Sequence, residues 1–166
     1  SCADFGAPQC RDRVIFLGVR KSLGISWDFP ESTHSEEALL WSQYVSGEYW
    51  ERHKIRKRPV PSSLAKTIAR IRTADKPGKV PWMTVRDAIS ELPPPARIQD
   101  RVSVDHSQHV YIPGARAYAG HSGSSLDYPA KALKAGVHGV PGGENMLALD
   151  DGSVRYFTVR ESACLQ

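Results

Sequence analysis

A chain of 166 residues, 40% hydrophobic and 24% charged, has the apolar content to bury the core of one domain or one and a half. No apolar run approaches the roughly 18 residues of a membrane helix, no charged-then-apolar leader opens the chain, and Cys2, Cys10 and Cys164 form neither an even set nor a Cys-x-x-Cys pair; this composition points to a cytoplasmic protein with reduced thiols and away from membrane, disulfide-framework and zinc-knuckle classes. The net charge of +4 is concentrated: from Glu51 to Lys79 ten Lys or Arg face only Glu51 and Asp75, a local net of +8 that leaves the rest at −4, the distribution a phosphate-binding surface needs.

In chain order, Gly6 and Pro8 set a turn ahead of residues 13–19, whose density of Val, Ile, Phe and Leu predicts a strand buried against a core. Thr33-His34-Ser35-Glu36 has the form of a capping box. Ala38, Leu39, Ser42, Val45 and Tyr49 follow at helical spacing, predicting one or two helices over 35–57, interrupted at Gly47 and ended by Pro59 and Pro61. Ser62 or Ser63 then caps a short helix that turns Leu64, Ile68 and Ile71 inward and Lys66, Arg70 and Arg72 outward. Thr84 and Asp87 open another helix, with Val85, Ala88, Ile89 and Leu92 on its apolar face and Pro93-Pro94-Pro95 as its stop. Residues 96–125 read as irregular, with a short strand at Val110-Tyr111-Ile112, and such a tract in a compact domain is often a binding surface. A turn and strand over 126–133 and a tight loop at 139–143 precede a hairpin, 145–149 and 153–158, around Asp150-Asp151-Gly152. Thr158 and Glu161 cap a last helix, and Trp27, Trp41, Trp50 and Trp82 are expected to fill a small core.

The sharpest motif is Gln9-x-Arg11-x-Arg13, preceded by Asp4-Phe5-Gly6-Ala7-Pro8 and followed by Val14-Ile15-Phe16-Leu17-Gly18. Two guanidiniums one residue apart in an extended segment point the same way and can grip a phosphate or a carbonyl oxygen bidentately. This segment resembles the eighth sequence motif of the DNA cytosine-5 methyltransferases, and Phe157-Thr158-Val159-Arg160-Glu161-Ser162-Ala163-Cys164-Leu165-Gln166 is similar to the ninth. Gly47-Glu48-Tyr49-Trp50-Glu51-Arg52-His53, Thr84-Val85-Arg86-Asp87-Ala88-Ile89, Ile112-Pro113-Gly114-Ala115-Arg116 and His138-Gly139-Val140-Pro141-Gly142-Gly143-Glu144-Asn145 look like one bacterial branch of that family, so the resemblance spans most of the chain.

The family places its target recognition domain between those motifs. The resemblance therefore implies an α+β fold of small twisted β-sheets, a few helices and long loops. Residues 1–20 would end the Rossmann-like catalytic domain, 21–150 would form the recognition domain, and 151–166 would return to the catalytic domain with the two ends side by side. It implies a parent enzyme that flips a cytosine out of duplex DNA, attacks its carbon 6 with a cysteine thiolate, holds its nitrogen 3 with a glutamate and moves a methyl group from S-adenosylmethionine to carbon 5; a base must leave the stack to be modified. By motif match Arg11 and Arg13 support catalysis, Arg13 at oxygen 2 of the flipped cytosine and Arg11 at the catalytic loop or a phosphate, while Gln9 fixes the turn beside the gap in the duplex. Arg160 and Glu161 would be structural residues of the ninth motif. Ala132 and Leu133 stand where the family carries a Thr-Leu type dipeptide near the flipped nucleotide, a missing hydroxyl contact worth roughly 0.5–1.5 kcal/mol; Cys164 stands where Arg is common.

Arg97, Arg101, His106, Gln108, His109, Arg116, His121 and Ser122 lie in the irregular tract and are of types suited to reading bases, whereas Arg52, Lys54, Arg56, Lys57 and Arg58 suit positioning of a phosphate backbone. The sequence has no Pro-Cys, Glu-Asn-Val or Phe-x-Gly-x-Gly motif, and Cys10 belongs to the arginine turn, so it reads as a neutral variant position. His106-x-x-His109 lacks a third ligand at metal spacing, and Gly139 to Gly143 lacks the Gly-Lys-Ser/Thr ending of a phosphate-cradling loop. The expectation is thus a DNA recognition segment of a bacterial, nucleoid-associated enzyme, inactive alone. Its partners would be double-stranded DNA and the remainder of the catalytic domain, with a cognate restriction endonuclease in the same system as a further candidate and no membrane. S-adenosylmethionine would be held by the parent enzyme and not by this chain. The alternative is a non-catalytic DNA-binding subunit of a split methyltransferase. A first residue other than Met and a helical ending at Gln166 suit an excised or partial piece.

Overall fold

The computed structural model describes residues 1–97, 108–134 and 145–166. A single helical turn, Cys2–Phe5, leads through Gly6 into β1 (Gln9–Cys10). Gly6 sits at φ 91°, a left-handed backbone that favours glycine, and a Cβ there would come within 2.9 Å of the His34 imidazole and have to displace it. Residues 11–33 follow with one short turn, Lys21–Leu23, as their only regular structure. β2 (His34–Ser35) then enters α1 (Glu36–Trp41), which Ser35 caps by accepting a hydrogen bond from the Ala38 amide at 3.2 Å. Glu36 and Glu37 place negative charge at the positive end of that helix.

A wide π-type turn, Ser42–Ser46, and Gly47 at φ 86° interrupt the helix before α2 (Glu48–Arg52) resumes it, and Lys54 at φ 54° ends it. α3 (Ala65–Arg72) buries Ile68 and Ile71 and exposes Lys66, Arg70 and Arg72, as its spacing predicts, but starts from the turn Ser62–Leu64 without a side-chain cap. β3 (Val80–Pro81) pairs in parallel with β2, and α4 (Val85–Ile89) begins at the Thr84–Asp87 capping box. β4 (Ser124–Ser125) and β5 (Ala130–Lys131) come next. The hairpin of β6 (Met146–Ala148) and β7 (Val154–Tyr156) turns at Asp150-Asp151-Gly152, and α5 (Val159–Cys164) starts at the predicted Thr158–Glu161 box. β5 pairs in parallel with β1, and β6 joins β4 in parallel and β7 antiparallel. The fold is α+β, with short helices and sheets of two or three strands.

Three expectations are corrected. The strand over 13–19 does not form: Val14, Ile15, Phe16 and Leu17 are 80%, 65%, 93% and 52% exposed, because an apolar run becomes a strand only beside another whose amides and carbonyls it can pair with. The cap of α1 is Ser35 rather than Thr33, whose backbone is held extended by bonds to Asp4 O (3.0 Å) and from Val80 N (3.1 Å). The strand at 110–112 reduces to one bridge between Ala96 and Val110. The loop at 139–143 lies outside the described residues.

Two apolar cores result. One gathers Leu39, Leu40, Tyr44, Tyr49, Trp50, Ile68 and Ile71 from α1 to α3, with Trp41 and Trp82 packed against it; the other gathers Val85, Leu126, Ala130, Leu147, Phe157 and Leu165. Trp27 joins neither. It is 46% exposed and meets Phe29 edge to face at 4.6 Å.

Candidate nucleic-acid interface

Between the two cores lies a polar network centred on Asp127, itself almost wholly buried. Its Oδ1 accepts from the Tyr49 hydroxyl (2.9 Å) and from Arg86 Nε (2.7 Å), and its backbone carbonyl accepts from Gln43 Nε2 (2.7 Å). Its Oδ2 lies 3.0 Å from Arg58 Nε, an ionic contact whose angle falls outside hydrogen-bond geometry. Arg86 continues to both oxygens of Asp150 at 2.8 and 3.0 Å, and Arg58 also donates to Asp150. Burial alone would raise the Asp150 carboxyl, but the bonds from Arg86 and Arg58 outweigh it and hold the group below the ordinary carboxylate range. At Tyr49, by contrast, burial prevails, so the hydroxyl is pushed well up and stays a neutral donor.

The basic block is thereby split. Arg52 donates to Asp87 at 2.6 Å beside His53, whose Nε2 donates to the same oxygen at 2.8 Å, and Arg58 belongs to the network. Lys54, Arg56 and Lys57 are exposed. Ile55, Arg56, Lys57, Arg58, Pro59, Val60, Arg72 and Asp150 line an open cleft of about 990 Å³.

At the arginine turn, Gln9 is buried and its Nε2 donates to Leu165 O at 3.3 Å, fastening the first elements to the end of α5 and setting the two ends side by side. Arg11 is half-exposed, its carbonyl accepting from Cys2 N, and exposed Arg13 donates to Asp12 O at 2.6 Å. Since no strand forms over residues 11–33, the shared direction expected of the two guanidiniums has no strand to impose it. Burial first, then the charges of Asp12, Glu36 and Asp4, raise the Cys10 thiol, the reverse of what an attacking thiolate needs.

Of the proposed base readers, Arg97, Gln108, Arg116 and Ser122 are exposed, while Arg101 and His106 lie outside the described residues. His121 is half-buried, 4.5 Å from the Tyr118 ring. His109 is a correction: fully buried, it uses Nε2 on Pro93 O (2.7 Å) and Nδ1 on Thr158 Oγ1 (2.8 Å), so no ring nitrogen is left for a base edge. Ala132 and Leu133 are half-buried, Leu133 against the second core. At the chain's end Glu161 is buried and bonded to Arg155 by two bonds of 2.6 Å, while the Arg160 side chain is exposed. Sequence reasoning missed Arg155, Arg86, Asp127 and Asp150. The side-chain partners of Arg86, Asp127 and Asp150 are distant in sequence, and nothing local marks Asp127.

No model of a protein family matches the chain, and neither does any solved structure. Curated proteins do match. The chain is 36% identical over 108 residues to the type II methyltransferase M.AquIA of Picosynechococcus, covering 62% of this chain and 30% of that protein. The curated proteins it resembles are type II methyltransferases, each matched over part of its length. It is 47% identical over 45 residues to M.BspRI of Lysinibacillus sphaericus (27% of this chain, 10% of that protein) and 50% identical over 37 residues to M.BsuRI of Bacillus subtilis (22% and 8%). The chain thus spans under a third of the length of each methyltransferase relative named here. Among the described residues no helix is long and apolar enough to cross a membrane, and no cluster of His, Cys, Asp and Glu could hold a metal ion.

Proposed function

We propose that the chain is the DNA recognition segment of a DNA cytosine-5 methyltransferase, one whose parent enzyme moves a methyl group from S-adenosylmethionine to carbon 5 of a cytosine flipped out of the duplex. The observation that carries this reading is the homology to type II methyltransferases over 62% of the chain. The Gln9-x-Arg11-x-Arg13 turn, with Gln9 locked and Arg13 exposed, supports it. So does the exposed apolar stretch after Arg13, which is suited to pairing with strands of a catalytic sheet. On this reading residues 1–20 and 151–166 belong to the catalytic domain, residues 21–150 present the flipped base, and the irregular tract carrying Arg97, Gln108, Arg116 and Ser122 faces base edges.

The described residues of this chain do not fit the methyl donor. The sulfonium centre of S-adenosylmethionine is a cation, the described cleft is walled by Arg56, Lys57, Arg58 and Arg72, and the sequence lacks a glycine-rich donor loop. Donor binding and the nucleophile are therefore assigned to the rest of the enzyme.

The test is methyl transfer to duplex DNA by the full-length polypeptide that carries this chain, followed by identification of the methylated atom. Methyl on cytosine carbon 5 is expected; methyl on an exocyclic nitrogen of adenine or cytosine would contradict the reading.

A further inference from the structure

The ten cations between Arg52 and Lys79 do not share one environment. Arg52, Arg58 and Arg70 are committed to Asp87, to Asp127 and Asp150, and to Glu37, respectively. Arg56, Lys57 and Arg72 have no ion-pair partner among the described residues, and they line the same cleft. The strap that carries Arg56 and Lys57 is anchored on both sides, since Ile55 and Val60 pack against the first core and the Ile55 amide donates to Trp50 O at 3.1 Å. Arg72 comes from the last turn of α3, which buries Ile71 beside it. Three cations are therefore presented by a backbone already ordered, so little chain entropy is lost when they engage a ligand. The acid in the lining, Asp150, is neutralised by Arg58 and Arg86 and opposes an incoming anion only weakly.

We propose that this cleft docks the phosphodiester backbone of duplex DNA, with Arg56, Lys57 and Arg72 as the contacting cations and Arg58 withheld as a structural residue. The inference rests on the recognition reading above and deepens it. It adds Arg72, which lies 14 or more residues from the rest of the group in sequence, and removes Arg58 and Arg52. Such contacts set register on the duplex without reading sequence, because phosphates are the same at every base pair.

The experiment measures duplex affinity against salt for the 166-residue chain, for Arg56→Ala/Lys57→Ala, for Arg72→Ala, and for Lys66→Ala/Lys76→Ala as a charge-matched control on exposed cations outside the cleft lining. Far-UV circular dichroism checks that each variant folds. The slope of log affinity on log salt is expected to fall by about two in the first variant and about one in the second, with sequence preference unchanged, and to hold in the control. An equal fall in the control overturns the cleft and leaves only net charge. Unchanged slopes in both cleft variants, with the unsubstituted chain still binding, overturn the cleft but spare the recognition reading. No duplex binding by the unsubstituted chain overturns both.

Discussion

Residues 36–50 and residues 14–29 are both rich in large apolar side chains, yet the first stretch buries Leu39, Leu40, Tyr49 and Trp50 while the second leaves Val14, Phe16, Leu23, Ile25 and Phe29 at 60% exposure or more. The difference lies in where each conformation finds its backbone partners. A helix satisfies its amides and carbonyls within the segment, so α1 and α2 need only α3 and β3 to cover an apolar stripe. A strand must take its hydrogen bonds from a neighbour, and no described strand pairs with residues 11–32. Apolar density therefore marks burial in both stretches, but only the helical one can achieve it with the partners this chain supplies.

Breaking the network that joins the two cores should give the largest effect. Asp127→Ala strips partners from half-buried Arg86 and buried Tyr49, and a loss of about 3–5 kcal/mol is expected in urea unfolding. Leu39→Ala, inside the first core, should cost about 2–5 kcal/mol in the same assay. Acid sharpens the picture further. At Asp87 burial would raise the carboxyl, yet the bonds from Thr84, the Arg52 charge and the His53 contact outweigh it and hold it below the ordinary carboxylate range. A depressed carboxyl contributes stability that is present above its unfolded value and is lost as pH falls through its folded one. The melting temperature should accordingly drop below about pH 4, and Asp87→Asn should flatten that acid limb. The smallest change is expected at Phe16, 93% exposed: Phe16→Ser should leave stability within about 0.5 kcal/mol while reducing aggregation of the isolated chain. A loss at Phe16 as large as that at Leu39 would erase the contrast between the two stretches.

What could be read from sequence follows the same division. The Thr84–Asp87 and Thr158–Glu161 boxes, the Asp150-Asp151-Gly152 turn and the inward face of α3 are satisfied within a few residues, and all four stand as expected. The features that escaped are made by distant partners: Tyr49 meets Asp127 across 78 positions, Gln9 meets Leu165 across 156, and β1 pairs with β5. His109 shows the cost for site assignment. Its residue type suits base readout and its tract is irregular, but the carbonyl of Pro93 and the hydroxyl of Thr158 occupy both ring nitrogens, a fact no local pattern carries. For the same reason the charge run from Arg52 to Lys79 could be counted but not divided into committed and available cations.

Selection of duplexes from a randomised pool by this chain, with Arg13→Ala and Arg97→Ala variants alongside, tests the recognition role most directly. Enrichment of a short cytosine-containing site, weakened by either substitution, is the expected result. Retention of all duplexes alike, collapsing as salt rises, would show that only the exposed cations act and would contradict a recognition function residing in this chain.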